Sequence, residues 1–225
     1  MNKVRKIVAG SVLGIICPSG HPKALDEVNK FCDLLISHGY KYKLGKSVTA
    51  KEGYLAGSDT LRAKDLMDMF LDDEVDGILC YKGGYGAQRM LPYIDFEVLK
   101  NHPKLLVGFS DVTVLLNTLY QFSNMPTVHG EMGVCMQNYE EFTFNHFFEM
   151  LKNGFINPLV NPTLPLTVIN EGICEGVVVG GNLSLIYALM GTPYEIDLND
   201  KILFIEEVNE APYAVDRMLS SLSLS

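Results

Sequence analysis

Short apolar runs that alternate with stretches of helical spacing constrain this chain more than any single residue does. Val12 to Cys17 is apolar throughout, the pattern of a strand covered on both faces. Behind Pro22, the residues Leu25, Val28, Cys32, Leu35 and Ile36 recur at helical spacing, and Gly39 closes the element. Asp59 to Leu71 predicts a second helix, with Ala63, Leu66, Met67 and Phe70 on one stripe. Gly77 to Tyr81 and Lys104 to Phe109 read as buried strands. Asp111 to Phe122 is the clearest helix, because Val112, Leu115, Leu116, Leu119 and Tyr120 share one face. Thr127 to His129 is a short strand and Glu140 to Lys152 a helix. This order predicts an α/β fold, a mostly parallel sheet with helices on both faces.

Composition removes several functions. A chain of 225 residues, 48% hydrophobic and 20% charged, buries a core without staples. Its formal charge is -9. Nucleic acid needs a basic face to displace counterions, and an anionic membrane needs the same, so neither partner is expected. Lys3, Arg5 and Lys6 before Ile7 to Cys17 imitate a signal peptide, but the turn Pro18-Ser19-Gly20 favours a first buried strand. No apolar run is long enough to span a bilayer. Cys17, Cys32, Cys80, Cys135 and Cys174 are odd in number and widely spaced, as expected of reduced thiols in a cytosolic protein.

From Asn153 to Asn170 the period is lost and Pro158, Pro162 and Pro165 appear. The expected division is an N-terminal α/β domain over 1–155, a linker over 156–170 and a second domain over 171–225. The second part carries a strand over Ile173 to Val179, the group Gly180-Gly181-Asn182, a helix from about Leu183, a strand over Ile202 to Ile205 and a final helix from about Pro212. That last helix has a short apolar stripe (Val215, Met218, Leu219, Leu222), so a smaller, incomplete α/β or β-rich domain is expected.

Several segments carry chemistry. In Val107-Gly108-Phe109-Ser110-Asp111-Val112 an apolar strand ends, a serine stands at the turn and a helix starts at once. That is the arrangement of a nucleophile elbow. It is also a plain helix cap by Ser110 or Asp111, and the residues alone leave both readings open. Lys82-Gly83-Gly84-Tyr85-Gly86-Ala87-Gln88-Arg89 follows a buried strand, and its glycines let backbone N–H groups approach a ligand. Arg89 replaces the third glycine of a dinucleotide fingerprint, so no nucleotide cofactor is expected. Gly45-Lys46-Ser47 imitates a phosphate loop, but Tyr40 stands where its first glycine belongs. Glu206 ends an apolar strand, where it either orients a histidine or is solvated together with Glu207. No histidine pair has i, i+4 metal spacing, so no metal is expected. His129 sits at a strand end, structural or near the site.

In this order, the motifs resemble the LD-carboxypeptidase family, serine peptidases that trim murein tetrapeptides in the bacterial cytoplasm. The stretches that carry the resemblance are Pro18-Ser19-Gly20, Gly83 to Arg89, Pro103-Lys104 through Asp111, His129-Gly130, Gly180-Gly181-Asn182-Leu183, Gly191-Thr192-Pro193, Glu206 to Glu210 and Asp216-Arg217-Met218-Leu219. The resemblance implies a flavodoxin-like N-terminal domain and no cofactor. It implies Ser110 as nucleophile and Glu206 as the acidic member of a Ser-His-Glu triad. The N–H of Asp111 and one from the Gly83-Gly84 turn would form the oxyanion hole. Gly83, Tyr85 and Asn182 would contact a murein tetrapeptide or related peptide, and the protein would be a homodimer. Glu131 stands where the family has proline, and the catalytic histidine is expected beyond the Asp216 to Leu219 segment, after Ser225. Two alternatives accompany this reading: a hydrolase of acyl-sulfamoyl-adenylates resembling the microcin C immunity branch, and an inactive truncated binding module.

Overall fold

The computed structural model describes residues 2–136, 141–153 and 167–225. Its strands are β1 (Val12–Ile16), β2 (Lys41–Leu44), β3 (Gly77–Cys80), β4 (Leu105–Gly108), β5 (Thr127–His129), β6 (Val177–Asn182) and β7 (Lys201–Glu206). Its helices are α1 (Leu25–Ser37), α2 (Asp59–Leu71), α3 (Phe96–Lys100), α4 (Thr113–Ser123), α5 (Glu141–Asn153), α6 (Leu183–Leu189) and α7 (Pro212–Leu224). The first five strands form one parallel sheet in the order β2-β1-β3-β4-β5, and β6 pairs with β7 in a second, parallel sheet.

The strands are continuous apolar runs because both faces are covered. In β3, Ile78 and Cys80 face α2 and α4, packing with Ala63, Leu66, Phe70, Leu115 and Leu119. Leu79 and the following Tyr81 point to the opposite face, toward Val28, Phe31 and Leu35 of α1 and Phe147 and Leu151 of α5. Each fully buried Leu, Ile or Phe contributes about 1.5–3 kcal/mol, so these two layers supply the driving force.

Two elements escape the apolar pattern. β2 reads Lys-Tyr-Lys-Leu, with all four residues exposed. It is an edge strand whose lysines protect the open edge, and a charged edge gives no buried-strand signal. α3 is one short turn capped by the Asp95 carboxylate on the N–H of Val98. The expected strand over Ile173 to Val179 is displaced: Ile173 is fully exposed and pairing starts at Val177. It runs through Gly180-Gly181-Asn182, which the sequence suggested as a connection. Gly180 and Gly181 sit at φ 117° and 129°, a region of mirror-image extended backbone open to glycine. Most of the expected linker, 156–166, lies outside the described residues.

The phosphate-loop imitation has a physical explanation. The N–H groups of Lys46 and Ser47 donate to the Asp65 carboxylate at 2.8 and 2.9 Å. A Cβ on Gly45 would lie 2.4 Å from that carboxylate. The turn does cradle an anion, but the anion is the protein's own.

Burial also settles the cysteines. It pushes the Cys17 thiol up to about 12, with Asp65 adding and Lys82 opposing, and Cys32 up to about 11. Cys80 is raised too by full burial. Thiolate is the reactive form, so an alkylating reagent is expected to modify exposed Cys174 in the native protein. Cys17, Cys32 and Cys80 should react only after unfolding, as peptide mass mapping would read out.

Candidate active site

In a parallel sheet of this order, ligands bind outside the carboxyl ends of the strands where the winding direction reverses. Here that point lies between β1 and β3. The turns that leave these strands touch: the N–H of Gly20, after β1, donates to the Gly83 carbonyl, after β3, at 3.1 Å. The next strand, β4, delivers Ser110 to the same place. A Cβ added at Gly83 would lie 3.5 Å from Ser110 Oγ and 3.2 Å from the Met132 methyl. These are close-contact distances, so the backbone of this turn lies directly beside the serine hydroxyl.

Ser110 is half-buried and has φ 61°. A residue with a Cβ costs about 1–3 kcal/mol there, and such strain collects at functional sites. The tight approach is made possible by Gly108, whose added Cβ would meet Val112 Cγ1 at 2.8 Å and Cys80 Cβ at 3.2 Å. Ser110 to Val112 form a single 3-10 turn that runs into α4. The first N–H groups of a helix have no partner within it, so the Asp111 N–H stands at a positive helix end beside the serine.

The capping alternative fails. Neither Ser110 nor Asp111 makes a side-chain cap at the 3-10 turn or at α4. The Asp111 side chain instead turns inward, 1% exposed, and accepts from Ser19 Oγ at 2.5 Å and the Ala87 N–H at 2.8 Å. Burial pushes its carboxyl above the ordinary range, against the opposing pull of Ser19, Ala87 and Arg62.

The second sheet comes to this site through α4. The Asn117 side chain brackets Gly180, donating to its carbonyl and accepting from its N–H, both at 2.8 Å. The Asn182 N–H donates to Thr113 Oγ1 at 3.0 Å. A Cβ on Gly181 would sit 2.7 Å from that same oxygen, so glycine lets β6 lie against the first turn of α4. Asn182 pairs with Glu206 in the β6–β7 register. Glu206 is thereby tied to the helix that starts beside Ser110.

Glu206 and Glu207, indistinguishable as a sequence pair, differ in the fold. Glu207 accepts from Ser184 N at 2.9 Å, Ser184 Oγ at 2.6 Å, Val208 N at 2.8 Å and Asn182 Nδ2 at 3.2 Å. Burial alone would raise its carboxyl, but those hydrogen bonds outweigh it and hold Glu207 low. Glu206 keeps a buried Oε1 with no hydrogen-bond partner among the described residues. An unsatisfied buried carboxylate oxygen costs about 1–3 kcal/mol or more, and it is what a waiting acceptor requires.

Burial raises the Glu206 carboxyl, opposed by the Asn182 amide and reinforced by the charge of Glu207. A folded-state pKa above the unfolded one supports folding while the group is protonated; that support is lost as pH rises through the folded-state value. Glu206→Gln is therefore expected to exceed the wild type in stability at neutral pH and to match it at about pH 3, where the carboxyl is protonated in both states. Urea unfolding at the two pH values measures this.

The remaining expected contacts are placed as follows. Gly84 is exposed at φ 122°. Tyr85 is exposed, and its ring lies 6.0 Å from that of Tyr54, at the rim of the turn. Asn182 caps α6, its Oδ1 accepting from Leu185 N at 3.3 Å, and its amide also holds Glu207. The ring of His129 lies 5.1 Å from that of Phe204, and its Nδ1 is buried without a partner. Among the described residues it makes no hydrogen bond to Ser110 or Glu206, and it lines an apolar cavity of about 640 Å³ that neither of them lines. Sequence reasoning missed Arg62, which is fully buried beneath the glycine turn. An arginine on an otherwise apolar helix stripe was the available signal. No group of His, Cys, Asp and Glu among the described residues could hold a metal ion.

Comparison with known proteins agrees with this architecture. The LD-carboxypeptidase N-terminal domain matches residues 13–130 and the LD-carboxypeptidase C-terminal domain matches 175–225. A probable murein peptide carboxypeptidase of Bacillus subtilis is 38% identical over 230 residues, covering 99% of this chain and 70% of that protein. A MccF-like protein from Bacillus anthracis superposes with a TM-score of 0.88 at 26% identity, over 99% of this chain and 76% of the other. A muramoyltetrapeptide carboxypeptidase from Oxalobacter formigenes superposes with a TM-score of 0.80 at 28% identity, over 95% and 72%. The chain belongs to the LD-carboxypeptidase family.

Proposed function

We propose that this chain carries the nucleophile of a serine-type LD-carboxypeptidase acting in the cytoplasm on murein tetrapeptides. The bond cut is the amide between the L-centre of the diamino acid and the terminal D-alanine. Ser110 Oγ attacks the carbonyl carbon while an imidazole takes its proton. The oxyanion is held by the N–H of Asp111 and an N–H of the Gly83-Gly84 turn, each such donor being worth roughly 10²- to 10³-fold in rate. The imidazolium returns the proton to the departing D-alanine nitrogen, and water then cleaves the acyl-serine by the reverse sequence. Glu206 holds the imidazole in the right tautomer. Among the described residues His129 makes no hydrogen bond to Ser110 or Glu206, and it is not given this role. The cleft lies between the domain ending near residue 155 and the one starting near residue 171, with Gly83, Tyr85 and Asn182 on the substrate.

The observation that carries this reading is the strained Ser110 facing the Gly83 turn, with the second sheet carrying Glu206 bonded to the same helix. The resemblance of the motifs to the microcin C immunity branch gives a second substrate class, acyl-sulfamoyl-adenylates. The test offers the full-length protein a murein tetrapeptide and an aminoacyl-sulfamoyl-adenosine. D-Alanine release from the tetrapeptide is the expected result. Turnover of the nucleotide analogue alone reverses the ranking, and no turnover of either leaves the binding module.

A further inference from the structure

The oxyanion turn is not free to choose its distance from Ser110. Its far end is pinned twice by buried charge. The Ala87 N–H donates to Asp111 Oδ2 at 2.8 Å, and the Gly86 carbonyl accepts from Arg62 Nη1 at 2.8 Å. Its near end is pinned by Gly20, whose N–H donates to the Gly83 carbonyl. The Gly20 turn is in turn held by the same two side chains: Ser19 Oγ donates to Asp111, and Arg62 donates to the Pro18 carbonyl. Arg62 also donates from Nε to the Gly57 carbonyl at 3.2 Å and pairs with Asp59. Gly86, at φ 119°, leaves room for this guanidinium, since a Cβ there would lie 3.2 Å from Nη1.

Packing alone does not require a charge on Asp111. An apolar residue next to the nucleophile would fill the space, and a buried carboxylate costs several kcal/mol before its hydrogen bonds are counted. What the carboxylate does is join the residue that follows the nucleophile to both turns that border it. We infer that Asp111, Ser19 and Arg62 are positioning residues: their buried hydrogen bonds fix the Gly83–Gly86 turn relative to Ser110, so that its N–H meets the oxyanion formed there. The inference rests on the hydrolase reading above. It concerns side chains that touch neither substrate nor reacting atoms.

The test uses the full-length protein with Ser19→Ala, Asp111→Ala, Asp111→Asn and Arg62→Lys, each corrected for its folded fraction by circular dichroism. Misplacement of a catalytic group by about 1 Å costs roughly 10²-fold in rate. Ser19→Ala, Asp111→Ala and Arg62→Lys are expected to lower kcat by roughly 10- to 100-fold with KM within about threefold. A phosphinate analogue of the tetrahedral intermediate should lose affinity by the same factor as kcat. Asp111→Asn keeps an acceptor for both donors and should recover most of kcat. Wild-type kcat in the folded fraction of Ser19→Ala and Arg62→Lys overturns the positioning role, as does a loss confined to KM. An inert wild type, unchanged by Ser110→Ala, overturns the hydrolase reading and this inference with it.

Discussion

Ser110→Ala in the full-length protein is expected to lower tetrapeptide hydrolysis by roughly 10³- to 10⁶-fold, the range seen when an activated nucleophile is removed. Its fold should be untouched. Among the described residues the hydroxyl makes no hydrogen bond that holds the turn, and alanine carries the same Cβ into the same left-handed backbone, φ 61°. Ser110→Gly separates strain from chemistry. The left-handed conformation costs about 1–2 kcal/mol for a residue with a Cβ. Glycine's larger unfolded-state entropy takes back about 0.4–1 kcal/mol. Ser110→Gly should therefore be as inactive as the alanine variant and equal to, or up to about 1.6 kcal/mol above, the wild type in stability. Strain held at the serine for function has that signature; a serine placed for folding would show the opposite.

Gly180→Ala is expected to have the largest effect on stability. The added Cβ would lie 2.1 Å from the Phe204 carbonyl oxygen, with backbone on both sides, at φ 117°. Neither strand can yield without separating β6 from β7. The strained φ costs about 1–3 kcal/mol and the overpacking about 1–3 more. A loss of about 2–6 kcal/mol follows, roughly a 10 °C fall in the unfolding midpoint for a chain of this size. The pairing at risk is the one that aligns Asn182 with Glu206, so activity at a temperature where the variant is still folded should fall as well. Calorimetry and D-alanine release on one preparation measure both.

Much of this was legible in the sequence because parallel strands covered on both faces are apolar without interruption. β1, β3, β4, α1, α2 and α4 were all located within a few residues. β2 was not, because an edge strand of Lys41, Tyr42, Lys43 and Leu44 carries no burial signal. Gly180 and Gly181 were read as a connection, because single-sequence reasoning takes paired glycines for a turn, and only tertiary contact with Phe204 and Thr113 reveals them as strand. At the site, the turn from β4 into α4 marked Ser110. That neither Ser110 nor Asp111 caps the helix is visible only in the cap geometry and the inward Asp111 carboxylate. Glu206 was singled out by its place at the strand end and by the family resemblance; what the sequence does not show is that hydrogen bonds occupy Glu207 and leave Glu206 Oε1 without a partner among the described residues. The joint from Arg62 to the Pro18 carbonyl and from Ser19 to Asp111 spans distant parts of the chain, and the arginine on the α2 stripe marks only one end of it.

The most direct measurement is a rapid acid quench of the full-length protein turning over a murein tetrapeptide, with digestion and mass spectrometry of the peptide that contains Ser110. The account requires that this peptide gain the mass of the substrate less D-alanine, as an ester on the serine, and that the adduct be absent from Ser110→Ala. An adduct on any other residue, or D-alanine release undiminished in Ser110→Ala, contradicts it.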